Sequence, residues 1–233
     1  MGKINLCIDI GNTSTKAGVF IDGQMTEYIK PFTHQHFSDI FDENVQVLVS
    51  KTGLNPELER LLSNEHYLSH ESPIPLELIY DTPETLGPDR IAAAVGAYYM
   101  DANSSWLIID IGTCITLDLL NKNRFLGGMI SAGSAIRLRA IQDYTAGLPL
   151  VKMDESKKFP GKSTEESIQV GISQSIRHEI TGYINEQNQS YDSLKIVFCN
   201  ENSLHFDKVV KNEIFARPNL VLEGLNYIIQ NHA

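Results

Sequence analysis

Asp9 and Asp110 each close an apolar run and open a turn of glycine and small hydroxyl or amide residues: Asp9-Ile10-Gly11-Asn12-Thr13 and Asp110-Ile111-Gly112-Thr113. Such a turn exposes backbone N–H groups beside a carboxylate. The N–H groups and hydroxyls grip phosphate oxygens, and the carboxylate holds a cation that neutralises them. Taken singly, either stretch is also an ordinary β-turn, because Asp, Gly, Asn and Thr are all turn residues. Two copies lying 101 residues apart, each after a strand-like run (Ile4 to Ile8, Trp106 to Ile109), point to a duplicated phosphate-handling hairpin able to clamp a nucleoside triphosphate. Lys16, three residues past the first turn, adds a cation there, although a strand lysine by itself is usually solvated. A third group lies between the copies at Leu86-Gly87-Pro88-Asp89-Arg90. Pro88 suits the first turn of a helix and Asp89 the positive end of its dipole, which favours an ionised carboxylate ready to orient a hydroxyl. Arg90 suits a bidentate oxyanion, or else a surface ion pair with Glu84 or Asp81.

Positioning these residues requires a frame that repeats. Strands are predicted over Ile4 to Ile10, Thr15 to Ile21, Gln24 to Lys30 and Val45 to Ser50, with a short helix over Asn55 to Leu62. The second half repeats the order with strands over Ser105 to Ile111, Cys114 to Leu120 and Phe125 to Ile130, then a helix from Ser134 to Tyr144. Hairpins followed by helices, twice over, imply an α/β protein of two subdomains with a cleft between them. In the helix after Pro88, Ile91, Ala94, Val95 and Tyr98 form one buried stripe. Ser163-Thr164-Glu165-Glu166 is a capping pattern that starts the longest helix. There Ile168, Ile172, Ile176, Ile180 and Ile184 recur every fourth residue, as core or as a dimer element.

The chain has 233 residues, 42% of them hydrophobic, and a net charge of −10. It can bury a sizeable core, and its acidity argues against nonspecific binding of nucleic acid or anionic membrane. Cys7, Cys114 and Cys199 have no metal-type spacing and read as small buried hydrophobes in a reduced compartment. Without a signal-peptide pattern, a myristoylation pattern (Leu6 spoils it) or a spanning segment, the expectation is a soluble, cytoplasmic protein. Pro160-Gly161-Lys162-Ser163-Thr164 imitates the end of a P-loop but has Ser156 where the first glycine belongs.

Taken in order, these motifs resemble the type III pantothenate kinases of the acetate and sugar kinase, heat-shock cognate and actin superfamily. The resemblance rests on Asp9-Ile10-Gly11-Asn12-Thr13 with Lys16, Tyr80 with Pro83, and Leu86 to Arg90. It continues through Asp110 to Thr113 with Thr116 and Asp118, Gly127-Gly128 with Gly133, and Gly161 to Glu166. It implies two duplicated ribonuclease-H-like subdomains, mixed sheets flanked by helices, over residues 1–104 and 105–233 around a nucleotide cleft. It also implies that Asp9, Ile10, Gly11, Asn12, Thr13, Ser14, Thr15, Lys16 and Thr113 bind ATP, with Asp9 organising Mg²⁺ through the phosphates. Tyr80, Gly87, Pro88, Asp89, Arg90 and Thr164 would hold pantothenate, Thr164 across a homodimer interface. Asp89 would take the proton of the acceptor hydroxyl, and Asp110 would bind a monovalent cation, K⁺ or NH₄⁺.

Two positions depart from the family pattern. Phe198-Cys199-Asn200-Glu201-Asn202 stands where a Gly-Gly turn near the nucleotide base is usual, and Ala132 replaces a proline. The competing functional readings are a small sugar or acid kinase on the same fold, and a nucleotide-binding regulatory protein without turnover.

Overall fold

In the computed structural model, which describes residues 2–199 and 213–232, the first hairpin is built from β1 (Ile4–Ile10) and β2 (Thr15–Ile21). β3 (Gln24–Ile29) and β4 (Val45–Lys51) complete a sheet ordered β3-β2-β1-β4, with β4 parallel to β1. The second sheet contains β6 (Ser105–Ile111), β7 (Cys114–Asn121), β8 (Arg124–Ala132) and β9 (Lys195–Phe198), ordered β8-β7-β6-β9 with β9 parallel to β6. The duplication therefore covers strand order and direction as well as letters. β5 (Glu77–Leu78) and β10 (Ile214–Ala216) extend the second sheet at its two edges.

Alternation along β1 and β6 decides what each aspartate faces. Leu6, Ile8 and Ile10 pack outward with Phe32, Phe37 and Leu58, beneath α1 (His34–Ile40) and α2 (Pro56–Glu59); the predicted helix over Asn55 to Leu62 is thus a single turn. Leu107 and Ile109 pack against Ile180 and Ile184 of α5 (Thr164–Gln187). Of the isoleucine stripe, Ile168, Ile172, Ile180 and Ile184 are buried; α4 (Ser134–Asp143) shares a smaller cluster with α5. Cys7, Trp106 and Ile108 point the other way, into a core filled by α3 (Pro88–Met100) and α6 (Leu220–His232). Asp9 and Asp110 share that inward parity, so both carboxylates aim at the layer between the sheets.

This placement changes the expectation for α3. The predicted stripe is instead burial on all sides from Arg90 to Ala97, because α3 lies against α6 and contacts β4, β6 and β7. α6 also packs on β1, and Asn5 of β1 donates to Asn226 of α6 at 2.8 Å in the buried layer. The chain's last helix thereby braces its first strand. No helix among the described residues is long and apolar enough to cross a membrane.

Candidate active site

The two turns meet. Gly11 N–H donates to Ser14 O at 3.2 Å and Gly112 N–H to Cys114 O at 2.9 Å, closing each turn, and the Thr13 and Thr113 hydroxyls lie 2.6 Å apart. Asn12 and Thr13 are exposed. Ile10 and Thr15 are buried on the face opposite Asp9: Ile10 belongs to the outer core, its carbonyl accepting from Thr52 and Gly53, and the Thr15 hydroxyl accepts from Asn55, the cap of α2. Within the Asp9 to Lys16 stretch these two therefore brace the turn from behind. Cys114, expected to be buried, is exposed, because it begins β7 at the mouth of the turn; Cys7 and Cys199 are buried as expected.

Behind the first turn, Asp9 pairs in register with Lys16 on β2 and Ser50 on β4. Lys16 Nζ lies 3.4 Å from Asp9 Oδ2, while Asp9 Oδ1 is buried with no hydrogen-bond partner. Burial raises the Asp9 carboxyl, and Lys16 opposes the rise. Burial works against the Lys16 ammonium, but Asp9 and Asp110 outweigh it and raise Lys16. A buried carboxylate oxygen without a donor is the kind of atom a cation satisfies, so Asp9 fits a Mg²⁺ ion. No three His, Cys, Asp or Glu side chains among the described residues group closely enough to hold a metal by themselves.

Asp89 stands in the first turn of α3, with Oδ1 accepting from Arg90 N–H at 2.8 Å. The dipole argument predicts a carboxylate held ionised, but its pKa is instead raised to about 6. Burial is the main cause, and the charges of Asp9, Asp110 and Asp118 add to it against the Arg90 N–H. Gly87 makes room for this group, since a Cβ there would lie 2.5 Å from Asp89 Oδ1. Asp110, register partner of Thr116, acts electrostatically on Lys16, Asp89, Asp118 and the buried Cys199.

Arg90 differs from both surface pairings considered for it. It is buried, and its partner is neither Glu84 nor Asp81 but Asp118: Nε donates to the two carboxylate oxygens at 3.0 and 3.1 Å and Nη2 to Oδ1 at 2.5 Å. Tyr80 and Phe125 flank the guanidinium, each ring centre 5.8 Å from Cζ. Asp118, grouped by sequence with the second turn and its cation, is therefore bound to α3. Its position was readable: Thr116 and Asp118 alternate on the face that Asp110 shares. Ser50 opposite Asp9 carried no comparable signal. Thr164 is exposed in the first turn of α5, and no hydrogen bond joins it to the Asp89 group. Asn200, Glu201 and Asn202 lie outside the described residues.

Comparisons with known proteins show what the chain is similar to. The family described as type III pantothenate kinase matches residues 5–186. The chain is 38% identical over 240 residues to the type III pantothenate kinase of Christiangramia forsetii, covering 97% of this chain and 98% of that one. It is 34% identical over 236 residues to that of Phocaeicola vulgatus, with the same shares covered. Among solved structures, a Sinorhizobium meliloti protein proposed to be a 2-dehydro-3-deoxygalactonokinase superposes with a TM-score of 0.64 at 11% identity, covering 97% of this chain and 98% of that one. At that identity the likeness is one of fold.

Proposed function

Since the chain belongs to the type III pantothenate kinase family, we propose that it transfers the γ-phosphoryl group of ATP to the primary hydroxyl of pantothenate, giving 4′-phosphopantothenate and ADP, the first step of coenzyme A biosynthesis. The observation that carries the reading within the site is Asp89, a half-buried carboxylate at the start of α3 whose pKa is raised to about 6, first by desolvation and then by the charges of Asp9, Asp110 and Asp118. The acceptor oxygen attacks the γ-phosphorus, the bond to the bridging oxygen of ADP breaks, and the hydroxyl proton passes to Asp89.

Phosphoryl transfer asks mainly for positioning and charge neutralisation. Asn12, Thr13, Ser14 and Thr113 line the two turns and would contact the phosphates, while Lys16 supplies a fixed positive charge. Mg²⁺, bound at Asp9 through the phosphates, would neutralise the triphosphate. Asp110 is assigned to a monovalent cation, K⁺ or NH₄⁺. Tyr80 and Gly87 to Arg90 are assigned to pantothenate, which the position of Tyr80 beside Arg90 supports.

The division at residues 104 and 105 into two ribonuclease-H-like subdomains is supported by the repeated strand order, with β5 and α6 exchanged between the halves. A homodimer, with Thr164 reaching the partner's acceptor site, is supported by exposed apolar side chains at Ile130, Tyr144 and Phe159. The assigned compartment is the cytoplasm.

The direct test is pantothenate-dependent ADP formation with K⁺ or Na⁺ as the monovalent ion. Turnover dependent on pantothenate and faster in K⁺ is expected. No pantothenate-dependent turnover with any nucleoside triphosphate would overturn the reading.

A further inference from the structure

The ion pair between Arg90 and Asp118 joins α3 to β7 beside Tyr80, and it is nearly sealed from water, with side-chain exposures of 6% and 2%. Stability alone is a poor reason to keep such a pair, because desolvating two charges cancels much of their attraction and an apolar pair of equal volume often does as well. Its geometry is better explained by positioning. The carboxylate takes Nε on both oxygens and Nη2 on one, which fixes the guanidinium plane, and the Tyr80 and Phe125 rings flank it. Nη1 takes no part in the bonds to Asp118, and Tyr80 is a further hydrogen-bond partner of the guanidinium. Gly128 pairs with Asp118 across β7 and β8, where a Cβ would lie 2.5 Å from Asp118 Oδ1 and 2.0 Å from Leu117 O. The neighbouring strand thus leaves the carboxylate its place.

We propose that Asp118 is a positioning residue for the acceptor: it holds Arg90 so that the Nη1 edge is presented to the acceptor's carboxylate, and it never touches the substrate itself. The proposal rests on the assignment of Tyr80 and Gly87 to Arg90 to pantothenate. Because the two charges of the pair cancel, an anionic acceptor is selected by directed N–H groups rather than by net positive charge. A lysine could replace the charge but not the fork, since one nitrogen paired with Asp118 has no second edge to offer.

The test compares pantothenate with pantothenol, its neutral counterpart lacking the carboxylate, as acceptors for the wild type, Asp118→Asn, Arg90→Lys and the double variant. Asp118→Asn is expected to raise the KM for pantothenate at least tenfold, with a smaller change in kcat, an ATP KM within about threefold of wild type, and a narrowed preference for pantothenate over pantothenol. Adding Arg90→Lys to that background should cost less than about threefold more, because both changes remove one contact. Equal losses on the two acceptors, an unmoved preference, or additive effects would overturn the proposal. Should Asp118→Asn fail to fold, Arg90→Lys decides, since it retains the charge: an unchanged preference there is equally fatal. A wild type inactive on both acceptors overturns the acceptor assignment and the proposal together, whereas an active wild type with unmoved variants overturns the proposal alone.

Discussion

A carboxylate that takes a proton from an alcohol works best when its own pKa lies near ambient pH, and Asp89 at about 6 meets that condition. The acidic limb of the kcat/KM profile for pantothenate should therefore fall near pH 6; a limb at the ordinary carboxylate value would remove the charge cluster from the explanation. Asp89→Asn should cut turnover at least about a hundredfold, the low end of what a lost general base costs. It should also stabilise the protein. A carboxyl whose folded pKa exceeds its unfolded one binds its proton more tightly when folded, so its cost to stability grows as pH rises from about 4 to 6 and is complete above. That cost is at most on the order of 3 kcal/mol, so the variant should melt a few degrees higher at pH 7.5 and nearly level at pH 4. Near-normal turnover together with an unchanged melting temperature would return Asp89 to the role of a helix-end residue. The local sequence makes Asp89 legible as a carboxylate in the first turn of a helix, but not the direction of its shift. Asp9, Asp110 and Asp118 arrive from strands far away in the chain.

The elements were readable to the extent that their patterns are local. β1, β2, β6 and β7 follow from apolar runs broken by Asp-Ile-Gly, and α5 from Ser163 and the isoleucine stripe. α6 was not anticipated, although Leu222, Leu225, Ile228 and Ile229 fall at helical spacing and its apolar face is marked. Its importance lies in how closely it crosses α3, the helix that carries Asp89 and Arg90. A Cβ on Gly224 would lie 1.8 Å from the Ala92 carbonyl oxygen. In an isolated helix Gly→Ala is favourable by up to about 1 kcal/mol. Here Gly224→Ala should instead destabilise by on the order of 2 kcal/mol, because α6 must move off α3. Chemical denaturation checks this, and a gain in stability would contradict the close crossing.

At the scale of the whole molecule, two sheets of like strand order enclose a common layer, and Thr13 meets Thr113 where the two halves touch. The homodimer proposed above requires a sedimenting species of twice the 26.0 kDa chain; a monomer with full activity would take Thr164 out of the acceptor site. The sequence by itself determined the repeated turns, the strand-turn-strand frame around each, the helix that begins at Pro88 and the family resemblance, because turn chemistry, capping and apolar period act between residues near one another in the chain. Only the tertiary structure decided that Asp9 and Asp110 face one layer, that Asp118 belongs to Arg90 rather than to the second turn, and that Asp89 is raised instead of lowered. Each of these depends on desolvation and charge summed over groups from distant segments, and those distances do not exist until the two halves pack around α3 and α6.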